Sequence, residues 1–100
     1  MNLNISQKDG KTIAKVVGRI GTAEAIEFDQ QMKPLLTGNN PDIEMDCSAL
    51  DYISSSGLRL FFTLHKSVNE RNGSLVFTNL QDTVRRVFVM TGFSKIMNIQ

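Results

Sequence analysis

The order of local patterns along the chain predicts an α/β fold: a single domain over residues 1–100, with a mixed five-stranded sheet in the order β-β-α-β-α-β-α-β and helices packed against it. Three observations carry this expectation. Two short segments near the N-terminus are joined by Asp9-Gly10, the composition of a tight hairpin turn. After them, helix and strand patterns alternate three times, the order that makes strands parallel through crossover helices. Between the central strand and the helix after it stands Ser54-Ser55-Ser56-Gly57. That corner follows the carboxyl end of a strand, where open α/β sheets place their functional crevice.

Each element has its own reason. Leu3 and Ile5 alternate with polar residues at the period of a strand, and Thr12 to Val17 reads as its hairpin partner, ended by Gly18. Thr22 is the candidate N-cap of a helix whose apolar face carries Ala25, Phe28, Met32, Leu35 and Leu36. Pro34 lacks a backbone donor and clashes with the preceding turn, so this helix should kink or end near Lys33. Residues Thr37 to Pro41 have the composition of a loop.

Ile43, Met45 and Cys47 then alternate inward, and Leu50, Tyr52 and Ile53 keep the central strand apolar. Leu58, Phe61, Phe62, His65, Val68 and Asn69 follow at helical spacing, stopped by Asn72-Gly73. Ser74 to Thr78 is β-branched and aromatic, as a buried strand should be. Thr83 to Met90 is helical, with Val84, Val87, Phe88 and Thr91 on one face and Gly92 past its end, and Ile96 to Ile99 forms a last short strand.

Composition excludes several classes of function. A net charge of +1 offers no electrostatic case for nucleic acid. No apolar run is long enough to insert into a membrane, and Met1 to Ile5 lacks a signal peptide's pattern, so a cytoplasmic location is expected. One cysteine and one histidine support neither an internal disulfide nor a zinc site, and no cofactor or metal is expected. No catalytic residues are assigned either. The elbow of a serine hydrolase needs glycine two residues before the nucleophile, where Ile53 stands before Ser55, and no lysine follows Gly57 to make a P-loop. His65 and Cys47 read as packed residues, Arg85 and Arg86 as a solvated face, and Glu24 and Glu27 as a solvated first turn. Met90 and Phe93 are either core or a small contact patch.

The chemistry concentrates at the serine corner. A serine ahead of an apolar-periodic run can cap the helix through its side-chain oxygen. The same place has free N–H groups and the positive end of the helix dipole, so it also tolerates negative charge. A hydroxyl there is either a cap or a site where phosphate is placed and read.

The run Asp46-Cys47-Ser48-Ala49-Leu50-Asp51-Tyr52-Ile53-Ser54-Ser55-Ser56-Gly57-Leu58 resembles the signature of STAS-domain anti-sigma-factor antagonists. Gly18-Arg19-Ile20 with Thr22-Ala23 and Phe28 resembles the family's first strand-to-helix corner, Gly73 to Val76 its fourth strand, and Val84 to Phe93 its penultimate helix and following turn. The resemblance implies a binding module and not an enzyme. It implies a serine-kinase anti-sigma factor as partner, inactivation by phosphorylation, and reversal by a PPM-type serine phosphatase, in a monomer or weak dimer. Carried over by position, the phosphoacceptor is Ser55, with Ser56 and Ser54 as alternatives. The partner-binding residues are Gly21, Thr22, Ser54, Ser55, Ser56, Gly57, Leu58 and Arg59.

The sequence departs from the family pattern at Ser54 and at Gly21, where aspartate is usual or common, and the usual final helix is missing or rudimentary. Two other functions stay open at this point. One is an unregulated STAS scaffold or adaptor, for example of a lipid or anion transport system, in which Ser55 is only a cap. The other is a small-ligand or nucleotide sensor built on the helix N-terminus.

Overall fold

The computed structural model describes all residues from Met1 to Gln100. Strand β1 (Asn2–Lys8) returns as β2 (Lys11–Ile20) through Asp9 at φ 52° and Gly10 at φ 80°. Two positive φ values in succession are what a two-residue hairpin turn requires. Helix α1 (Thr22–Gln31) and a 3₁₀ turn (Lys33–Leu36) lead to β3 (Asp42–Ile53), and α2 (Ser55–Glu70) leads to β4 (Ser74–Thr78). Helix α3 (Asp82–Thr91) and a short 3₁₀ turn (Phe93–Lys95) complete the chain.

The sheet has the order β1-β2-β3-β4, antiparallel between β1 and β2 and parallel thereafter. It is one strand short of the expected five. Ile96 to Ile99 does not form a strand; Ile99 makes a single parallel bridge to Phe77, with the Phe77 N–H donating to Asn98 and the Gln100 N–H to Phe77. The segment makes that single bridge to β4, so no ladder develops.

All three helices share one core with one face of the sheet. Phe61 of α2 sits at its centre, with ring centroids 5.4 Å from Phe28, 4.9 Å from Phe77 and 6.1 Å from Phe88. Lys15, Val17, Arg19, Ser48 and Tyr52 are exposed on the strands. In β3 the buried positions are Ile43, Met45, Cys47, Leu50 and Ile53, so strict alternation breaks after Cys47. The register explains the break. Between Lys15↔Asp46 and Val17↔Ala49, and again between Gly18↔Leu50 and Arg19↔Tyr52, β3 advances one residue more than β2. Each bulge resets which side faces inward. Tyr52, expected on the apolar path, is therefore exposed.

Several boundaries differ from expectation. Strand β2 does not stop at Gly18 but passes through it at φ 102°, beside the second register shift, and continues to Ile20. Gly21, not Thr22, is the N-cap of α1. That helix does end before Pro34, which lies in the first positions of the 3₁₀ turn instead. At the end of α2 the left-handed residue is Asn72, at φ 58°. Gly73 has a different role, since a Cβ there would run into Pro41. Arg71 ties this end down by donating to the carbonyls of Leu35 (2.7 Å) and Thr37 (2.6 Å). On α2 the innermost side chains are Leu58, Phe61, Leu64 and Val68, whereas Phe62 and His65 are half-buried and Asn69 is exposed.

Candidate functional site

The parallel strands β2 and β3 end side by side, and each turns at once into a helix. The Ser54 N–H donates to the Ile20 carbonyl at 2.8 Å, the last link between the strands before the chains diverge. The N-termini of α1 and α2 are thereby set next to each other. Gly57 makes the approach of α2 possible. A Cβ there would lie 2.6 Å from Ile20 Cγ2 and 3.0 Å from Ile53 Cγ1, and β-branched side chains have little freedom to yield.

The three serines are not equivalent. Ser54 is the N-cap of α2, its Oγ accepting from the Gly57 N–H at 3.2 Å. Ser55 is the first residue of the helix; it is exposed, and its hydroxyl takes part in no hydrogen bond within the protein. Ser56 is half-buried and lines a groove of about 370 Å³ between α1 and α2, with Thr22, Ala25, Ile26, Asp29 and Leu60. The sequence allowed a serine of this run to be the cap, with Ser55 in that role under the scaffold alternative, and the structure gives the cap to Ser54. Serine and aspartate are comparable caps, so Ser54 in place of an aspartate keeps the cap and removes a negative charge beside Ser55.

At the α1 corner Gly21 is buried and its N–H donates to Glu24 Oε1 at 2.8 Å. Glu24 also lies 3.6 Å from Arg19 Nε, and the Arg19 guanidinium covers the Tyr52 ring at 4.8 Å. A Cβ on Gly21 would meet Glu24 Oε1 at 2.7 Å. The carboxylate at this corner thus comes from the third residue of α1, and a larger side chain at Gly21 would displace it.

Of the residues expected to meet a partner, Thr22, Ser55 and Arg59 are exposed, Ser54 and Ser56 are half-buried, and Gly21, Gly57 and Leu58 are buried. The buried three shape the corner from below and do not present side chains. The sequence did not single out Ile26 or Asp29, which line the groove beside Ser56 together with Leu60. Ile26 carried a usable signal. It is 69% exposed and stands off the face formed by Ala25, Phe28 and Met32, an apolar residue on the wetter side of an amphipathic helix.

The two perturbed titratable groups lie away from this corner, on β3. Burial works to raise the Asp46 pKa, but the Ser48 N–H, the Asn79 amide, the Ser48 hydroxyl and the Lys15 charge outweigh it and hold the carboxyl below its ordinary value. Burial pushes the Cys47 thiol up to about 12, with the Asp46 charge adding to the effect, so it is not a thiolate at neutral pH. No group of three or more His, Cys, Asp or Glu side chains is placed to hold a metal ion. No helix is long and apolar enough to cross a membrane.

Comparison with known proteins places this geometry in context. A family model for the STAS domain matches residues 2–100. BtrV of Bordetella bronchiseptica, named as an anti-sigma factor antagonist, is 31% identical over 99 residues, covering 99% of this chain and 85% of its own length. The crystal structure of an anti-sigma factor antagonist from Mycobacterium paratuberculosis superposes with a TM-score of 0.87 at 20% identity, covering 98% of this chain and 83% of that one. The Bacillus cell fate determinant SpoIIAA in its phosphorylated form superposes with a TM-score of 0.70 at 14% identity, covering 99% and 91%. With nearly its whole length matched and this sheet-and-helix order, the chain belongs to the STAS domain family.

Proposed function

We propose that the protein is an anti-sigma-factor antagonist of the cytoplasm, a monomer or weak dimer. It binds a serine-kinase anti-sigma factor and so releases a sigma factor, and it is inactivated by phosphorylation of Ser55 and restored by a PPM-type phosphatase. The observation that carries the proposal is the division of labour among the serines. Ser54 satisfies the helix N-terminus, leaving Ser55 exposed and unbonded at its first position. A hydroxyl free of structural duty can be modified without dismantling the fold. The naming of BtrV as an anti-sigma factor antagonist supports the partner class, and SpoIIAA in a phosphorylated form supports modification on this fold.

The binding face in this proposal is the corner of Gly21, Thr22 and Ser54 to Arg59, with the Ile26–Leu60 groove beside it. Phosphate brings about −1.5 to −2 charges, which disrupt where they meet a desolvated or acidic partner surface. An unregulated STAS scaffold is the second reading, and the position of the cap at Ser54 favours the switch by leaving the Ser55 hydroxyl without a structural role.

The test compares wild type, Ser55→Ala and Ser55→Asp for binding to a serine-kinase anti-sigma factor by calorimetry. Wild type and Ser55→Ala should bind alike, and Ser55→Asp should bind at least ~10-fold more weakly, a loss of about 1.4 kcal/mol. Its fold should persist, because an acidic residue in the first helical turn is stabilising by ~0.3–1 kcal/mol. Equal binding by all three proteins would remove Ser55 from the switch.

A further inference from the structure

We propose that Arg59 is the intramolecular partner of a phosphate on Ser55, so that modification closes an ion pair along the first turn of α2. This rests on the phosphorylation of Ser55 proposed above. Ser55 and Arg59 are both exposed and stand four residues apart in one helix. At that spacing side chains are neighbours, with Cβ atoms about 5–6 Å apart. Helical Cα–Cβ bonds tilt toward the N-terminus, so the Arg59 side chain leans back over the turn that holds Ser55. Negative charge first and positive charge four residues later is also the more favourable order.

Arg59 is unengaged. The ion pairs of the chain are Lys11–Glu44 and Arg19–Glu24, and the side chain of Arg59 makes no hydrogen bond. The other cation of the corner, Arg19, is already shared between Glu24 and the Tyr52 ring. The acidic groups on the facing helix are Glu24, held by Arg19, and Asp29 and Glu27, neither of which pairs with Arg59. A guanidinium presents a planar fork that can take two phosphate oxygens at once. Among the serines, Ser54 has its oxygen committed to the Gly57 N–H, and Ser56, three before Arg59, lines the groove with Leu60. Ser55 alone combines exposure, a free hydroxyl and a cation one turn on.

Phosphorylation then does two things to the binding face. It adds negative charge, and it withdraws Arg59 from any partner carboxylate, turning a local charge of one positive into about −1.

The test installs phosphoserine at position 55 during synthesis, by codon suppression, which separates the clamp from kinase chemistry. The second ionisation of the phosphate, ordinarily near a pH of about 6, is followed by phosphorus NMR in otherwise wild-type protein, in Arg59→Gln and in Arg59→Lys. The phosphate should titrate a few tenths of a unit lower with Arg59 than with the glutamine variant. Arg59→Lys should restore most of that shift, and the difference should shrink in about 1 M salt. The same titration in all three proteins overturns the role of Arg59. Failure of the underlying phosphorylation is read separately: a kinase that leaves Ser55 unmodified in site-resolved mass spectra removes that step, while the titration still reports on the clamp.

Discussion

Ser54 and Ser55 are adjacent hydroxyls in different physical situations. The Ser54 oxygen stands in for a missing turn of helix, whereas the Ser55 hydroxyl has no partner within the protein. Ser54→Ala should therefore cost ~1 kcal/mol by chemical denaturation. Ser55→Ala should stay within about 0.5 kcal/mol of wild type, as an exposed substitution away from any structural contact. A larger loss at Ser55 than at Ser54 would reverse the roles given to them. That a cap lay among these serines was legible in the sequence, but which serine it was depends on where β3 makes its last hydrogen bond. The bond from the Ser54 N–H to Ile20 settles that, and it joins residues far apart in sequence. Gly21 was opaque for a related reason: its corner is filled by Arg19 and Glu24, a pairing that only the folded turn creates.

Among the elements, β3 was the easiest to find and the hardest to phase. Its alternation from Ile43 to Cys47 is plain in the sequence, but the bulges after Asp46 and Leu50 depend on β2 and change which side Tyr52 faces. The last segment was misjudged because Ile96 to Ile99 has a strand's composition yet makes only a single bridge to β4. Asp46 gives β3 a testable pH dependence. Its carboxyl is held below its ordinary value by the Ser48 N–H, Asn79 and Lys15, which prevail over burial. The unfolded chain binds that proton at about 3.9, so the stabilisation is complete above that pH and is lost as pH falls through the lower folded value. Asp46→Asn should lower the urea midpoint at neutral pH, and its deficit against wild type should shrink as pH falls below the ordinary carboxylate value and the wild-type side chain takes up its proton. A difference that persists unchanged into acid would assign it to packing instead of ionisation.

On the scale of the whole molecule, one cluster of phenylalanines joins every layer. Phe61 links α1 through Phe28, β4 through Phe77 and α3 through Phe88, and all four rings are fully buried. Phe61→Ala should cost about 3–5 kcal/mol, and unfolding should remain a single transition because no layer has a core of its own. Separate transitions by near- and far-ultraviolet circular dichroism would contradict that unity. The same core seats the serine corner: Gly57 lets α2 pack close on Ile20 and Ile53, and the Ser55 hydroxyl is displayed from the helix so placed.

The central claim is that this displayed hydroxyl is the phosphoacceptor of a binding switch. Its most direct measurement is site-resolved mass spectrometry after incubation with a serine-kinase anti-sigma factor and ATP, on wild type and Ser55→Ala. One phosphate on Ser55 in wild type and none in the variant is the predicted result. Phosphate on Ser54 or Ser56, or an unmodified wild-type protein bound to an active kinase, would contradict it.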